Sequence, residues 1–385
     1  MLFTPVKIGP ITLRNRSIRA AAFEGMCQNH QVTPQLINYH EQVAKGGIGM
    51  TTVAYAAVQK SGLAFPHQLQ IKETILPDLA ILTNKVHLHN AKASIQLGHC
   101  GNMAKHNVIG SRPISASTHI NMYAPSFARK MSPKDINETI KAFGNSVRLV
   151  KKAGFDTVEI HAGHGYLISQ FLSPYINKRK DEYGGALQNR MRFMEQVMHE
   201  VLDAANNDIA VLVKMNMTDG FEGGITLNES LEIAKKLEEM DVHALILSSG
   251  FVSKAPMEVM RGSMPIKTLA KHAGNKIMSV FIRAFAKFMV PSVPFKETYF
   301  LENAKKFRAN LKLPLVYVGG ILSKENIDNV LNENFDAVAM ARVLIKNPDF
   351  VNKLRLEEYK ISSCDTCNHC IAVMYNGPFE CLQNL

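Results

Sequence analysis

Short runs of apolar and β-branched residues alternate along this chain with longer segments whose apolar residues recur at helical spacing. Residues 133–153 and 227–240 are two such segments, with an apolar side chain every three or four positions. Continuous apolar strands separated by amphipathic helices are typical of a parallel sheet covered by helices. The pattern predicts strands at 17–22, 48–54, 92–97, 157–161, 210–215, 242–247, 315–318 and 335–340.

Eight strand-and-helix units favour an α/β fold of the closed (β/α)8 TIM barrel type, which typically takes ~250 residues. An open doubly wound sheet is the alternative, but no Gly-x-Gly-x-x-Gly follows any predicted strand. Because the chain has 385 residues, we expect additions to a barrel that occupies residues 1–355. These additions are an N-terminal hairpin at 6–13, a long loop at 98–131, an inserted segment at 276–312 before the seventh strand, and a Cys-rich C-terminal tail at 356–385.

The composition, with 46% hydrophobic and 20% charged residues, excludes a disordered chain and a small disulfide-rich protein. The net charge of +11 suits an anionic partner such as a phosphorylated cofactor, acyl-CoA or nucleic acid, although scattered basic residues also serve solubility alone. The most apolar stretch, 277–295, is interrupted by Arg283 and Lys287, and the N-terminus lacks the basic and apolar start of a signal peptide. We therefore expect a cytoplasmic protein without a membrane partner.

Polar side chains follow the fourth predicted strand, at the end where the loops of a barrel converge on one site. His161, His164 and Tyr166 lie close together there. Two imidazoles can hold a carbonyl oxygen that gains negative charge, and a phenol can donate a proton to a carbanion-like carbon. Metal binding by the two histidines is an alternative, but no carboxylate is spaced to complete the coordination.

Glycines and cations follow other strands of the predicted barrel. Gly319 and Gly320 after strand 7, with Arg342 after strand 8, suit a phosphate group, because glycine lets backbone amides approach it and arginine binds it through two N–H groups. Lys214 in strand 5 can stabilise an anionic ring, form a Schiff base or make an ordinary ion pair. Gln96 in strand 3 offers a donor and an acceptor to the edge of a heterocycle.

The cysteines are distributed unevenly. Clustering of thiols in a chain without an export signal indicates a metal or iron–sulfur site rather than scattered disulfides. Cys27 and Cys100 stand alone, whereas Cys364, Cys367, Cys370 and Cys381 fall within the last 22 residues.

Taken together, these elements resemble the old yellow enzyme family of FMN-dependent NADH:flavin oxidoreductases over essentially the whole chain. The sequence departs from the family pattern at two places. Asn102 stands where arginine is usual, and the Ala-Ala-Phe run at 21–23 replaces a commoner Pro-Met pair. The motifs that carry the resemblance are LRNR at 13–16, QLGHCG at 96–101, EIHAGHGYL at 159–167, QFLSP at 170–174, NKR at 177–179, DEYGG at 181–185, NR at 189–190, AR at 341–342 and NPD at 347–349.

The resemblance implies FMN in the barrel mouth, NAD(P)H as reductant, and a small unsaturated carbonyl compound, including an enoyl thioester, as substrate. His161 and His164 would hold the substrate carbonyl while hydride passes from flavin N5 to the alkene, and Tyr166 would donate the proton. Lys214 replaces an arginine found in many members. The residues expected to contact FMN are Ala20, Ala21, Ala22, Ala57, Gln96, Lys214, Ser249, Gly319, Gly320, Ala341 and Arg342.

The tail resembles the branch of this family that includes 2,4-dienoyl-CoA reductase and trimethylamine dehydrogenase. In that branch a Cys-x-x-Cys-Asn-x-Cys run and a later cysteine bind a 4Fe-4S cluster, so the resemblance assigns this role to Cys364, Cys367, Cys370 and Cys381. A zinc site and an empty site are the alternatives. The sequence ends before the second flavin and nucleotide domains of those enzymes, which leaves the destination of relayed electrons open.

Other functions remain compatible with the sequence. A tRNA dihydrouridine synthase is also an FMN barrel, but its Asn-x-Gly-Cys-Pro turn is missing, so we expect no nucleic acid partner. Oxidative amine chemistry on the same barrel, a Schiff-base lyase that uses Lys214, and a non-catalytic tail that docks a partner are further alternatives. We expect a homo-oligomer.

Overall fold

Eight parallel strands close into a barrel and follow one another around it in chain order, which confirms the predicted (β/α)8 fold. The computed structural model describes residues 1–121, 126–273, 276–290, 292–374 and 377–384, so the predicted long loop, inserted segment and tail lie partly outside the described residues. The strands of the described residues are β1 (Val6–Ile8), β2 (Ile11–Leu13), β3 (Ser17–Arg19), β4 (Met50–Ala57), β5 (Lys92–Gly98), β6 (Ile114–Ser115), β7 (His119–Asn121), β8 (Ser126–Lys130), β9 (Thr157–Ala162), β10 (Ala210–Asn216), β11 (Ala244–Ser248), β12 (Leu315–Val318) and β13 (Ala337–Met340). The barrel consists of β3, β4, β5 and β9–β13.

The barrel strands form where the sequence is apolar, because both faces of each strand are covered. Every residue of β4 and of β10 is buried. Lys214 of β10 pairs with His161 of β9, and Val338 of β13 pairs with Ser17 of β3, which closes the ring. Parallel pairing throughout places the C-terminal ends of all eight strands at one end of the barrel.

The predicted hairpin, β1 and β2, closes the opposite end of the barrel. Its inward side chains belong to the same apolar cluster as residues near the beginnings of the barrel strands, so the N-terminal end is filled and the C-terminal end is left for a site. The cluster includes Val6, Ile8, Ile11 and Leu13 of the hairpin with Ile18, Met50, Leu212, Ile246 and Val316 of the strands.

Helices cover the outside of the barrel, and two of them begin at capping boxes, in which Ser132 and Thr226 accept from the N–H groups of Asp135 and Glu229. These two are the predicted helices α4 and α7. The helices of the described residues are α1 (Pro34–Lys45), α2 (Leu76–His87), α3 (His106–Ile109), α4 (Pro133–Lys152), α5 (Leu167–Leu172), α6 (Leu187–Ala205), α7 (Leu227–Glu239), α8 (Pro256–Met260), α9 (Ile266–Lys271), α10 (Lys276–Met289), α11 (Leu301–Asn310), α12 (Lys324–Asn332), α13 (Arg342–Lys346), α14 (Phe350–Arg355) and α15 (His369–Val373), with 3-10 turns at Lys60–Gly62, Glu73–Ile75, Gly101–Met103 and Leu382–Asn384.

The predicted insert at 276–312 lies between β11 and β12, and further helices precede it there. Helix α11 lies inside the predicted insert at 276–312, yet it buries Ala304 and Phe307 and is the helix that leads into β12. The extra elements are α8, α9 and α10, which start at Pro256. No change in composition marks this boundary, because basic residues occur on both sides of it, at Lys254 and Arg261. Within the described ranges, none of the helices has the length and apolar character needed to span a bilayer.

Candidate active site

A cavity of about 230 Å³ opens at the C-terminal end of the barrel. Each of the eight barrel strands, or the residue directly after it, contributes to its wall, which is the arrangement that brings residues distant in sequence to one site. Most of the residues singled out from the sequence line this cavity. They are Ala20, Ala21, Ala22, Gln96, His161, His164, Tyr166, Lys214, Gly319, Gly320, Ala341 and Arg342.

Two of the predicted site residues lie outside the lining of the cavity. Ala57 is fully buried in β4, and its backbone N–H donates to the carbonyl of Leu69. Ser249 is also buried, and its hydroxyl donates to the carbonyl of Thr218 at 2.8 Å. The neighbouring Ser248 lines the cavity instead.

His161, His164 and Tyr166 lie together on one wall of the cavity. The ring centroid of His161 is 5.1 Å from that of His164 and 4.5 Å from that of Tyr166. A tight turn makes this possible, because His164 adopts a positive φ of 59° and Gly165 follows at 80°. A side chain on Gly165 would meet the ring of Phe251 at 2.5 Å, so glycine is required at that position.

Both imidazoles of this wall are held in the neutral form. Burial, followed by the positive charge of Lys214, lowers the pKa of His164 to about 3. Burial, then His164 and Lys214, holds the pKa of His161 well below its usual range. His164 Nε2 hydrogen-bonds with the hydroxyl of Ser248 at 2.7 Å, whereas His161 Nδ1 has no hydrogen-bond partner within the part of the chain that is described. A neutral imidazole can donate to a substrate oxygen without introducing a charge.

Another histidine beside the site, His99, predicts acid sensitivity. Its Nδ1 accepts from the N–H of Gly101 at 3.0 Å and its Nε2 hydrogen-bonds with Ser61, so the neutral ring is the one that fits, and burial lowers its pKa to about 3. A histidine in the unfolded chain has a pKa near 6.5, so below that pH it binds a proton while the folded His99 stays neutral. The free energy of unfolding should therefore fall with acidification between about pH 6.5 and 3, by up to about 1.4 kcal/mol per pH unit from this group.

Urea unfolding at several pH values measures this slope. The variant His99→Asn offers a side-chain oxygen to Gly101 but has no titrating group, so its slope should be shallower than that of the parent. An equal slope in both proteins would show that His99 does not carry the effect.

Lys214 is held in a buried ion pair beneath the cavity. Its Nζ lies 2.7 Å from Glu159 Oε1, and both side chains are at most 3% exposed. The same Nζ donates to the carbonyl of Ala21 at 3.3 Å. Gln96 Nε2 donates to Glu159 Oε1 at 2.5 Å. Glu159 thus orients a cation and an amide at the floor of the cavity.

Gly319 and Gly320 form a close-packed cradle at the opposite side of the cavity. Their φ values are 140° and 71°, a region that favours glycine. A Cβ on Gly319 would lie 2.7 Å from the ring of Phe300, and one on Gly320 would lie 2.8 Å from the ring of Tyr299. Larger residues are therefore excluded at both positions, and both glycines line the cavity.

Arg342 borders this cradle and is oriented by Asn368. Its Nη1 donates to Asn368 Oδ1 at 2.5 Å, and the described residues supply it with no carboxylate partner within ion-pair distance. The Asn368 Nδ2 donates to the carbonyls of Arg261 and Ser263, and the residue is 1% exposed. An arginine at a cavity without a carboxylate partner is suited to an anionic ligand.

The four tail cysteines converge on a second, smaller cavity. This cavity measures about 20 Å³, and Arg342 lines it as well as the larger one. The thiols are free rather than paired in disulfides. No group of three or more His, Cys, Asp or Glu side chains in the described ranges is arranged to hold a metal ion. The cavity is lined by Cys364, Cys367, Cys370 and Cys381.

Several site residues were not identified from the sequence. Glu159 lies two positions before His161 on β9, so the period of two in a strand places both on the same face. That spacing, with the need of a buried lysine for a counter-charge, could have revealed it. Tyr55, Tyr299 and Asn368 carried no comparable signal, because only the folded chain brings them to the cavity wall or to Arg342.

Known proteins resemble this chain in sequence. The profile of the NADH:flavin oxidoreductase / NADH oxidase family matches residues 1–287. A 4,4'-dithiodibutanoate disulfide reductase from Rhodococcus erythropolis is 37% identical over 98% of this chain and 93% of its own length. An NADH oxidase from Thermoanaerobacter brockii is 28% identical over the whole chain, which spans only 56% of that relative.

Solved structures show the same fold. A 2-naphthoyl-CoA reductase in complex with 2-naphthoyl-CoA superimposes on 99% of this chain with a TM-score of 0.85 and 24% identity, and the chain spans 56% of that protein. An old yellow enzyme homologue from Zymomonas mobilis covers 98% of this chain, which spans 96% of it, with a TM-score of 0.75 and 23% identity.

Proposed function

The chain belongs to the NADH:flavin oxidoreductase / NADH oxidase family, and from that premise we propose that it binds FMN and uses NAD(P)H to reduce the C=C bond of an α,β-unsaturated carbonyl compound. The substrate class includes enones and enoyl thioesters. The observation that carries the proposal is the wall of two neutral imidazoles and one phenol, with ring centroids 4.5 and 5.1 Å apart, on a cavity of the barrel mouth.

The residues around the cavity fit FMN. Lys214 and Gln96 would hold the polar edge of the ring, where a cation stabilises negative charge on reduced flavin. Gly319, Gly320 and Arg342 would hold the phosphate, because they combine glycine backbone at the cavity wall with a guanidinium that no described carboxylate neutralises. When bound, FMN supplies the hydride for the alkene.

The chain's own residues then bind, orient and protonate the substrate. His161 and His164 would donate to the carbonyl oxygen and stabilise the negative charge that develops on it. Ser248 fixes the ring of His164 through its hydrogen bond of 2.7 Å. Tyr166 would donate its phenolic proton to the α-carbon. Aromatic and apolar side chains around them, including Tyr55, limit access of water.

Anaerobic turnover with purified protein tests this function. Released flavin should chromatograph as FMN, and NADPH or NADH should be oxidised in step with the loss of 2-cyclohexenone or crotonyl-CoA. Flavin that is reduced by an amine substrate but not reoxidised by either alkene would contradict the proposal.

Reduction of an organic disulfide is a second candidate, favoured by the relative from Rhodococcus erythropolis that shares 37% identity over 98% of the chain. A hydride equivalent would break the S–S bond and yield one thiol and one thiolate, and Tyr166 would protonate the thiolate. The same assay with 4,4'-dithiodibutanoate separates the two candidates through the ratio of the kcat/KM values.

Asn368 should be needed to hold FMN tightly, because it orients Arg342. Replacement by Ala removes a hydrogen bond to a charged group, and we expect FMN to bind roughly 10- to 100-fold more weakly. Fluorescence titration of apoprotein with FMN measures this change. Asn310→Ala, on the exposed face of α11, is the control. Unchanged FMN affinity in Asn368→Ala would refute the role.

We also propose that the tail, 356–385, holds a 4Fe-4S cluster beside the barrel, 1–355. The support is that four free thiols border one cavity, which offers one thiolate for each iron of such a cluster. Protein isolated without oxygen should contain iron and acid-labile sulfide. Cys364→Ser should lose most of this iron and Cys27→Ser should retain it. Iron-free protein, or equal loss in both variants, would exclude the cluster.

A further inference from the structure

Helix α10 presents an apolar stripe to solvent. Ser279, Ile282 and Ala286 lie on its better-covered face, and Ala286 is 7% exposed. The opposite face carries the stripe, whose members follow the first one at three, four and eight positions and therefore form one ridge of the helix. The stripe consists of Ile277 (85% exposed), Val280 (67%), Phe281 (45%) and Phe285 (51%).

The segment around α10 is strongly basic. Between Glu258 and Glu297 there is no acidic residue, while seven lysines and arginines occur. Five of them, named below, are exposed and form no ion pair with any described carboxylate, so their charges are available to a partner. They are Lys267, Lys271, Lys276, Arg283 and Lys296.

We propose that α10 and the basic residues beside it bind the surface of a membrane that contains anionic lipids. A helix with an outward apolar ridge and lysine or arginine at its sides lies in the interface between headgroups and acyl chains. Each cation near an anionic leaflet adds to the binding. The helix has 14 residues and lies on the surface, so this contact differs from a membrane-spanning helix, which none of the helices in the described ranges is long and apolar enough to form.

Other occupants fit the ridge less well. A second copy of the chain related by a two-fold axis would bring the same basic segment against itself, and like charges would repel. A protein partner would need a groove shaped for this ridge, whereas a lipid surface adapts to any convex apolar shape. Charge complementarity and convexity therefore both favour lipid.

Such binding would orient the cavity. Met260, Phe295 and Tyr299 flank or belong to the same basic segment, and all three line the cavity at the barrel mouth. A protein that binds lipid through α10 would hold the part of the cavity lined by these three residues near the membrane surface. The membrane contact itself does not depend on the proposed reaction.

Vesicle sedimentation with the full chain tests the proposal. Vesicles of phosphatidylglycerol and phosphatidylcholine should sediment the protein, and added salt should weaken the binding, whereas pure phosphatidylcholine vesicles should bind much less. Phe281→Ser with Phe285→Ser, and separately Lys276→Gln with Arg283→Gln, should each lower the partition coefficient at least about tenfold. Lys235→Gln with Lys236→Gln, two half-exposed lysines on α7 that are paired with Glu232 and Glu239, removes the same amount of charge elsewhere and should bind as the parent does.

Three results would overturn the proposal. The first is failure to bind the anionic vesicles, and the second is an equal loss in the α7 control. The third is a parent protein that self-associates in sedimentation equilibrium, together with α10 variants that no longer self-associate but still bind the vesicles. In that case α10 would be covered by a second copy of the chain. Thermal unfolding of each variant establishes that a loss of binding is not a loss of the fold.

Discussion

Replacing Tyr166 with Phe is expected to slow alkene reduction by about 10²- to 10⁴-fold, the range that a positioned general acid contributes. The substitution removes only the hydroxyl and retains the ring, which lies 4.5 Å from His161 and 5.1 Å from Tyr55 between centroids. Reduction of the flavin by NAD(P)H needs no proton from this phenol and should change little. Stopped-flow measurement of the two half-reactions separates the effects.

The matched control is Tyr55→Phe. Tyr55 also contributes a phenol to the cavity wall and contacts the ring of Tyr166, but its hydroxyl donates to the carbonyl of Gly62 at 3.2 Å and is used within the fold. Its loss should leave alkene reduction within a few-fold of the parent and cost about 1 kcal/mol of stability. Equal losses in the two half-reactions of Tyr166→Phe, or a larger loss of alkene reduction in Tyr55→Phe, would refute Tyr166 as the proton donor.

The barrel could be predicted because strands covered on both faces must be apolar throughout, and this pattern depends on local sequence alone. Strand ends were less predictable because tertiary contacts set them. β3 ends at Arg19 rather than 22, since residues 20–22 leave the ladder to line the cavity. β4 runs on to Ala57 rather than 54, because its pairing with β5 resumes after a shift in register at Val53.

The site could be predicted in part because a barrel fixes where strand ends meet. His161, His164 and Tyr166 were accessible to this reasoning, since they follow one strand directly. Ser248 was not distinguished from Ser249, because the sequence does not set the exact turn at which β11 leaves the barrel. Asn368 was read only as part of a cysteine motif, although it orients Arg342 across 26 positions of sequence.

The buried ion pair predicts the largest effect on stability. Lys214→Met leaves the Glu159 carboxylate buried, with the amide of Gln96 as its remaining hydrogen-bond donor within the described chain. Removal of one partner from such a pair costs about 3–5 kcal/mol. Urea unfolding should therefore show a lower midpoint. Flavin content should fall in the same variant, because the cation that would face the FMN ring is also lost.

Two further variants separate the charge from the packing. Lys214→Arg keeps a cation beside Glu159 and should retain most of the stability and the flavin. The double variant Lys214→Met with Glu159→Gln removes both charges, so no unpaired ion stays buried and most of the stability should return while flavin binding stays weak. A Lys214→Met protein as stable as the parent would mean that Glu159 is solvated or neutralised in another way. A double variant less stable than Lys214→Met would mean that packing, rather than the ion pair, holds this part of the barrel together.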